Sequence, residues 1–418
     1  MEQRDGNYSE RGLKNTSNRR IWWLIVALIL ILTNFITYIL GTRLPIKGTR
    51  RISERTYEEV MKFEKLFIVK NNLERFYDGK INEKDLIDGA VKGMADSLKD
   101  PYTVYMNEKE YKDFSTQTGG NYVGLGVQIG IKNDKVVVVS TFDDSPAKKA
   151  GILTKDIIEK VDGERVIGKE YDKAVNKMKG KRGSYVTLTI TREGKGTFDV
   201  KIKREEIILT SSKGEMIGNN IGYVQISVFD EHTFDQFKNT VNNLKKNGMK
   251  GMVLDLRQNP GGWLTQAVDI TSQFVPKNKV LVSTEDKYKN KEEYKSKGGD
   301  LIGMPLVVLI DGGTASASEV FSGAIRDYGM GTLIGENSFG KGIVQSVLYE
   351  RKFGFGDGTA LKVTTSKYYT PKGENIHHKG IKPDIEIKYP EELLKKPYER
   401  KNDPQFNKAL EVITQKIK

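Results

Sequence analysis

The sequence predicts a multidomain chain of mixed α/β and β architecture, and three observations predict it. A charge-free apolar run near the N-terminus is long enough to cross a membrane. Short alternating strands punctuated by glycine fill 115–205. Continuous apolar strands then alternate with helical patterns over 206–389, the mark of a largely parallel sheet covered on both faces. The 418 residues, 37% of them hydrophobic, suffice for two or three cores.

Ile21 to Leu40 reads IWWLIVALILILTNFITYIL. As a helix rising about 1.5 Å per residue it spans roughly 30 Å, one hydrocarbon core. Trp22, Trp23 and Tyr38 stand near its ends, where interfacial aromatics belong. Arg4, Arg11, Lys14, Arg19 and Arg20 precede it; Arg43, Lys47, Arg50 and Arg51 follow. The leading basic stretch favours a cytoplasmic tail over 1–20, an uncleaved single-pass anchor over 21–41, and the remainder outside the cytoplasm. A cleaved signal peptide would need a shorter apolar core and a small-x-small site, absent near Gly41.

Residues 42–114 read as helical. Val60, Phe63, Phe67, Leu73 and Phe76 recur at spacings that suit a helix face, and Asn82 opens a second helix that Asp100-Pro101 ends. Asn107 caps a third, starting near Glu108. The block has few residues for a core of its own and is expected to pack on something else, such as a second copy.

Over 115–205, Tyr122 to Ile129 reads as one strand, Lys135 to Ser140 as another, and Asp156 to Val161 as a third with an Asp162-Gly163 turn. Tyr171 to Met178 is a helix; Tyr185 to Thr191 and Thr197 to Lys203 alternate as strands. The sum is a small β-barrel with two helices. The series Tyr122 to Gln128, Ser145-Pro146-Ala147, Ala150-Gly151, Asp156-Ile157-Ile158 and Val161-Asp162-Gly163 resembles a PDZ domain. Such domains add a peptide C-terminus as a strand. The resemblance implies peptide binding along Tyr122, Val123, Gly124, Leu125, Gly126 and Val127, with Gly124 and Gly126 turning N–H groups towards the carboxylate. The plainer reading is that these glycines only relieve a tight bend.

In 206–389 the expected elements are strands Ile221–Ile226, Gly251–Arg257 and Pro305–Ile310, and helices Thr233–Lys246, Leu264–Phe274 and Ala315–Tyr328. The tail, 390–418, is charged and then helical.

The net charge of +13 suits a solvated surface or one drawn to anionic membrane. No basic stretch is interleaved with aromatics, so nucleic acid is not an expected partner. The absence of cysteine excludes disulfides and thiol chemistry, and with only three histidines no metal or other cofactor is expected.

Ser316 follows a buried strand and the Asp311-Gly312-Gly313 turn and heads a helix. Free N–H groups and the helix dipole favour negative charge there. Ser316 with Glu319 also matches the capping box S-x-x-E, so a cap is the competing role. Asn259-Pro260-Gly261-Gly262 makes a second strand-to-helix turn, and two such turns on neighbouring parallel strands would face one another where open sheets bind ligands. The segment from Gly335 to Gly342 nearly matches a phosphate-binding loop, but Gly342 replaces the magnesium-binding hydroxyl and a strand, not a helix, follows. Lys341 instead suits a buried base. Roughly one free lysine in 2500 is neutral at pH 7, and desolvation raises that fraction. Lys341 could take a proton from Ser316, with Gln345 orienting the amine. His232 heads a helix, while His377 and His378 lie in a Gly- and Lys-rich loop where neighbours rarely aim at one target.

The ordered whole resembles the carboxyl-terminal processing, or tail-specific, proteases. The matching motifs are Asp100 to Met106, Leu254 to Gly262, Thr314 to Glu319, Ser338 to Gln345, Thr370-Pro371 and Gly380 to Asp384. The resemblance implies a crotonase-like α/β protease core with Ser316 as nucleophile, Lys341 as general base and Gln345 as its partner. It implies an oxyanion hole of Ala317 N–H with Gly261 or Gly262 N–H, and a homodimer paired through the helical ends. Ser318 is the alternative nucleophile. The function expected is an extracytoplasmic, membrane-anchored serine endopeptidase that recognises substrate C-termini; a non-catalytic PDZ scaffold and a crotonase-like acyl-CoA enzyme are the alternatives.

Overall fold

A computed structural model describes residues 14–43, 52–142 and 144–418. Arg4, Arg11, Lys47, Arg50, Arg51 and most of the expected cytoplasmic tail lie outside the described residues. The chain divides into two compact units, one ending at Ala90 and one beginning at Val91.

The first unit is helical. Helix α1 (Lys14–Arg43) contains 23 residues, Arg19–Gly41, long and apolar enough to cross a membrane. Helices α2 (Glu54–Met61) and α3 (Glu64–Phe76) follow, with Ser53 Oγ accepting the Thr56 N–H at the head of α2. Neither has a buried residue: Val60, Phe63, Phe67, Leu73 and Phe76 all stand exposed. Helix α4 spans Glu83–Asp96.

The stretch after α4 differs from the all-helical expectation. Val104–Met106 forms strand β1 before α5 (Glu108–Gly119), which Asn107 and Glu110 cap reciprocally. Three residues are too few to show an alternating pattern, and the strand exists only because a distant partner, introduced below, pairs with it.

The small barrel follows. Strand β2 (Asn121–Gly124) ends where β3 (Val127–Lys132) was expected to continue it. Gly126 adopts φ +69, which breaks the ladder and re-aims the chain. Strand β4 (Lys135–Thr141), helix α6 (Pro146–Lys149), strands β5 (Ile157–Val161) and β6 (Glu164–Arg165), helix α7 (Tyr171–Met178) and strands β7 (Tyr185–Arg192) and β8 (Gly196–Lys203) complete it. The sheet order β3-β4-β5-β7-β8 leaves β3 as an edge beside α7. Its core is separate and aliphatic, built on Val136, Ile158, Leu188 and Ile190. Strand β9 (Glu205–Ile208) returns to pair with β2.

The largest layer is a six-stranded sheet. It comprises β10 (Ser212–Ile217), β11 (Ile221–Ile226), β12 (Gly251–Asp255), β15 (Leu306–Ile310), β16 (Thr332–Gly335) and β19 (Ile385–Glu386) in that spatial order. All neighbours are parallel except β10 with β11. Five consecutive buried residues in both β12 and β15 explain their uninterrupted apolar runs. Helices α8 (Thr233–Lys246), α9 (Leu264–Ser272) and α10 (Ala317–Tyr328) build the main core with Phe237, Phe274 and Phe321.

The opposite face is closed by the tail. After α11 (Glu391–Leu394), helix α12 (Pro404–Ile417) lays Phe406, Ala409 and Ile413 on Tyr223, Val253, Val307 and Leu309. Arg257 bonds Asp403 Oδ2 at 2.8 Å and Gln405 Oε1 at 2.9 Å, fastening the head of α12 to the end of β12. A second sheet, antiparallel, joins β13 (Val280–Asp286), β14 (Lys291–Lys295), β17 (Ile343–Leu348) and β18 (Ala360–Tyr369). Strand β1 is added to it, Val104 lying opposite Lys362.

Candidate active site

Strands β12 and β15 are hydrogen-bonded parallel neighbours, so the two turns at their C-terminal ends lie side by side. Buried Asn259 binds them together. Its Nδ2 donates to Ile226 O at 2.8 Å, and its carbonyl accepts the Ala315 N–H at 3.0 Å. Asp311 accepts the Gln258 N–H at 2.9 Å and its Nε2 at 2.8 Å. Gly261, at φ +97, is where the approach is tightest. A Cβ there would stand 2.7 Å from Ser316 Cβ and 2.8 Å from Ala317 N, so only glycine fits.

Ser316 sits at φ 55, ψ −115 immediately before α10. That is a rare conformation for a residue with a side chain, and such strain gathers at functional turns. Its half-buried hydroxyl donates no hydrogen bond among the described residues, and Ser316 and Glu319 form a reciprocal capping box at the head of α10. Ser318 is 0% exposed and donates its Oγ to Asn259 O at 3.1 Å. The N–H groups of Ala317 and Gly262 have no acceptor among the described residues, whereas Gly261 N–H is given to Asn259 Oδ1 at 2.9 Å. Of the two glycines, Gly262 keeps its donor open.

Lys341 precedes β17. One carboxylate, that of fully buried Glu319, ties its loop to the serine turn. Glu319 accepts N–H groups from Ser316 at 2.8 Å, Gly340 at 2.7 Å and Lys341 at 2.9 Å, and the Ser338 hydroxyl at 2.5 Å. The capping pattern seen in the sequence is thus half of a longer-range clamp. The Lys341 amine lies 4.7 Å from the centroid of the Tyr102 ring, without an ion-pair partner among the described residues. Burial first, and then the neighbouring Lys362 cation, push its pKa below the usual lysine value, against the opposing pull of Glu319 and Asp100. No hydrogen bond joins that amine to Ser316 Oγ or to Gln345, whose Nε2 reaches Thr364 Oγ1 at 3.4 Å.

The barrel carries a second concavity. A groove of about 500 Å³ runs between edge strand β3 and α7, lined by Tyr122, Gly124, Leu125, Val127, Val175 and Met178 among others. Gly126 turns the loop at its head. Val123 sits in β2 opposite Glu206, away from the groove lining. An unpaired strand edge beside an apolar wall suits an extended chain end.

Family models agree with this division of labour. One described as peptidase family S41 matches residues 220–387, one described as PDZ domain matches 123–202, and one described as the activating protease CtpB N-terminal domain matches 42–110. The chain is 39% identical over 337 residues to carboxy-terminal processing protease CtpA of Bacillus subtilis, covering 81% of this chain and 71% of that protein. This chain belongs to the carboxy-terminal processing proteases. It is 38% identical over 393 residues to a probable CtpA-like serine protease of Staphylococcus epidermidis, covering 92% of this chain and 78% of that one. Among solved structures it resembles a photosystem II D1 C-terminal processing protease, at 27% identity and a TM-score of 0.45, covering 77% of this chain and 86% of that chain. As a member of this family it is a serine peptidase carrying a PDZ domain.

Several residues of this carboxy-terminal processing protease site escaped the sequence reading. Asp100 accepts the Tyr102 N–H at 3.0 Å and the Thr103 hydroxyl at 2.7 Å; Thr103 Oγ1 in turn accepts the Thr364 N–H at 3.1 Å. These bonds and the pairing of β1 with β18 place Tyr102 against the lysine. Lys362 lies over the Phe114 ring at 5.3 Å, its own pKa lowered by burial. Tyr368, almost fully buried, donates its hydroxyl to Ser316 O at 3.2 Å. The motif Asp100–Met106 was the available signal, yet nothing in it names the lysine as its neighbour. The His377 and His378 ring centroids lie 3.8 Å apart with the planes tilted by 38°, and His377 packs on Gly342, where a Cβ would meet its backbone N at 2.6 Å. Burial and the second imidazole lower the His377 pKa. His232 stands away from this loop, its Nε2 3.3 Å from Asn121 Nδ2.

Proposed function

We propose that this peptidase is anchored by α1 with its catalytic part outside the cytoplasm, takes substrate C-termini into the barrel groove and cleaves through an acyl-enzyme formed on Ser316 with Lys341 as base. One observation carries the mechanism: the Ser316 hydroxyl donates to no described group, heads a turn whose Ala317 N–H is open, and is fixed through Glu319 to the loop of a lysine whose charged form is disfavoured. The buried, engaged Ser318 hydroxyl favours Ser316 over it.

In this reading the neutral amine takes the Ser316 proton as Oγ attacks the peptide carbonyl. Ala317 and Gly262 N–H groups receive the oxyanion. Lys341 returns the proton to the leaving amine, then takes one from the water that attacks the acyl ester and gives it to Ser316 Oγ as the acid product departs. Gln345 orients the amine as it turns from Tyr102 to Ser316. The anchor is supported by the charge-free length of α1 and its leading basic residues. Pairing of two copies through the exposed apolar residues of α2 and α3 is supported by their lack of any buried side chain.

The test is labelling of the full-length protein, in detergent, with a fluorophosphonate. Wild type should react, and Ser316→Ala and Lys341→Ala should not, while both variants keep the wild-type circular dichroism. Undiminished labelling of Lys341→Ala would remove the base from the mechanism. Mass spectrometry of chains trapped on Ser316→Ala would then name the substrates.

A further inference from the structure

The Lys341 amine and the Ser316 hydroxyl are held by one carboxylate through their backbones, yet the amine rests on another partner. That partner, Tyr102, comes from a strap more than two hundred residues earlier in the chain. The strap is fixed rather than loose: Asp100 binds its turn, buried Thr103 bonds β18, and Met106 is buried behind it. An ammonium over an aromatic face is attracted to it, and a neutral amine far less so.

We propose that Tyr102 is a positioning residue that parks the Lys341 ammonium away from Ser316, so that the strap Asp100–Met106 sets the resting activity of the peptidase. The proposal rests on Lys341 being the base.

The ring competes directly with the serine. To take the Ser316 proton the amine must both lose its own proton and leave the ring, and the contact opposes both steps. The charged and titratable groups around the amine come from four elements: Asp100 and Tyr102 on the strap, Glu319 on α10, Lys362 on β18, and His377 from the loop packed on Gly342. Only Tyr102 offers its face to the amine. Glu319 is already committed to backbone donors and the Ser338 hydroxyl, and Asp100 to the strap itself. Removing the ring therefore leaves the ammonium with less support while leaving the serine turn intact.

The experiment is the pH dependence of fluorophosphonate labelling of full-length protein in detergent for wild type, Tyr102→Leu and Tyr102→Phe. Tyr102→Leu should label about two- to fivefold faster at neutral pH, with its acid limb displaced towards lower pH. Tyr102→Phe, which keeps the aromatic face, should restore the slower limb. A Leu variant that is slower at every pH, or one whose limb superimposes on wild type, overturns the proposal, as does a Phe variant that behaves like Leu. Thermal melting of each variant separates a loss of fold from a loss of rate. Should wild type fail to label at any pH, the Ser–Lys mechanism falls and this proposal with it. An unshifted Leu profile beside normal wild-type labelling overturns this proposal alone.

Discussion

Glu319 and Lys341 are joined by a 2.9 Å hydrogen bond across 22 residues of chain, made through the same carboxylate oxygen that binds the Ser316 N–H. A helix cap has become the strut between the Ser316 turn and the Lys341 loop. Hydrogen bonds to a charged acceptor contribute about 1.5–3 kcal/mol each. Glu319→Gln replaces one acceptor oxygen with a donor that faces N–H groups. It should slow labelling of Ser316 by roughly 10- to 100-fold and lower the melting temperature. A variant that labels and melts like wild type would show that the clamp is not needed.

Lys362 tests the electrostatics from the other side. Its cation lowers the Lys341 pKa, so Lys362→Met should let that pKa rise. The neutral fraction of Lys341 at neutral pH then falls, and the acid limb of the pH–rate profile moves to higher pH. Lys362→Arg should hold the limb in place. A Met variant whose limb moves the other way would mean that lost packing outweighs lost charge.

The depressed pKa of Lys341 is also a statement about stability. Its folded value lies below the unfolded one, so the folded state disfavours a proton that the unfolded state accepts. The penalty is complete below the folded pKa and disappears as pH rises towards the unfolded value. Lys341→Met should therefore raise the melting temperature in acidic and neutral buffer, and the gain should shrink at strongly alkaline pH. A gain that grows with pH would contradict the sign.

Asp403 holds a buried ion pair with Arg257 and caps α12 through the N–H groups of Gln405 and Phe406, both at 3.0 Å. Removing one partner leaves a buried guanidinium short of an acceptor. Asp403→Ala should cost about 3–5 kcal/mol in urea unfolding. A loss under 1 kcal/mol would show that Asp255 alone satisfies Arg257, to which it is already bound at 2.7 Å.

The barrel groove predicts its own preference. Leu125, Val175 and Met178 make an apolar wall beside the β3 edge. Fluorescence polarisation should find that peptides with an apolar C-terminal residue bind better than charged ones. Val175→Asp should weaken them about tenfold or more, since a carboxylate buried without a partner is strongly opposed. Equal affinity of wild type and Val175→Asp would place the peptide elsewhere.

Most strands and helices were legible because their patterns are local: the unbroken apolar runs of β12 and β15 and the amphipathic repeat of α7 need no distant information. The Ser316 turn and the Gly261 turn were legible as turns, and their adjacency followed from strand order. What could not be read depends on contacts far apart in the chain. Strand β1 has three residues and exists through β18. Tyr102, Lys362 and Tyr368 look like ordinary surface or strand residues until the second sheet folds over Ser316. Motif and spacing to Lys341 favoured Ser316 over Ser318, and the burial of Ser318 adds a reason that the sequence does not carry. The tail was legible as charged and then helical, but not that the sheet's second face was waiting for Phe406, Ala409 and Ile413.

Leaving Tyr102, the backbone passes through β1 and the capped helix α5 and arrives at Gly126 with no other element between except β2. The mouth of the peptide groove and the ring beneath the amine are therefore two ends of one tether. Movement at either end has a covalent road to the other, and α5 is the one helix along it that could pay out chain by unwinding.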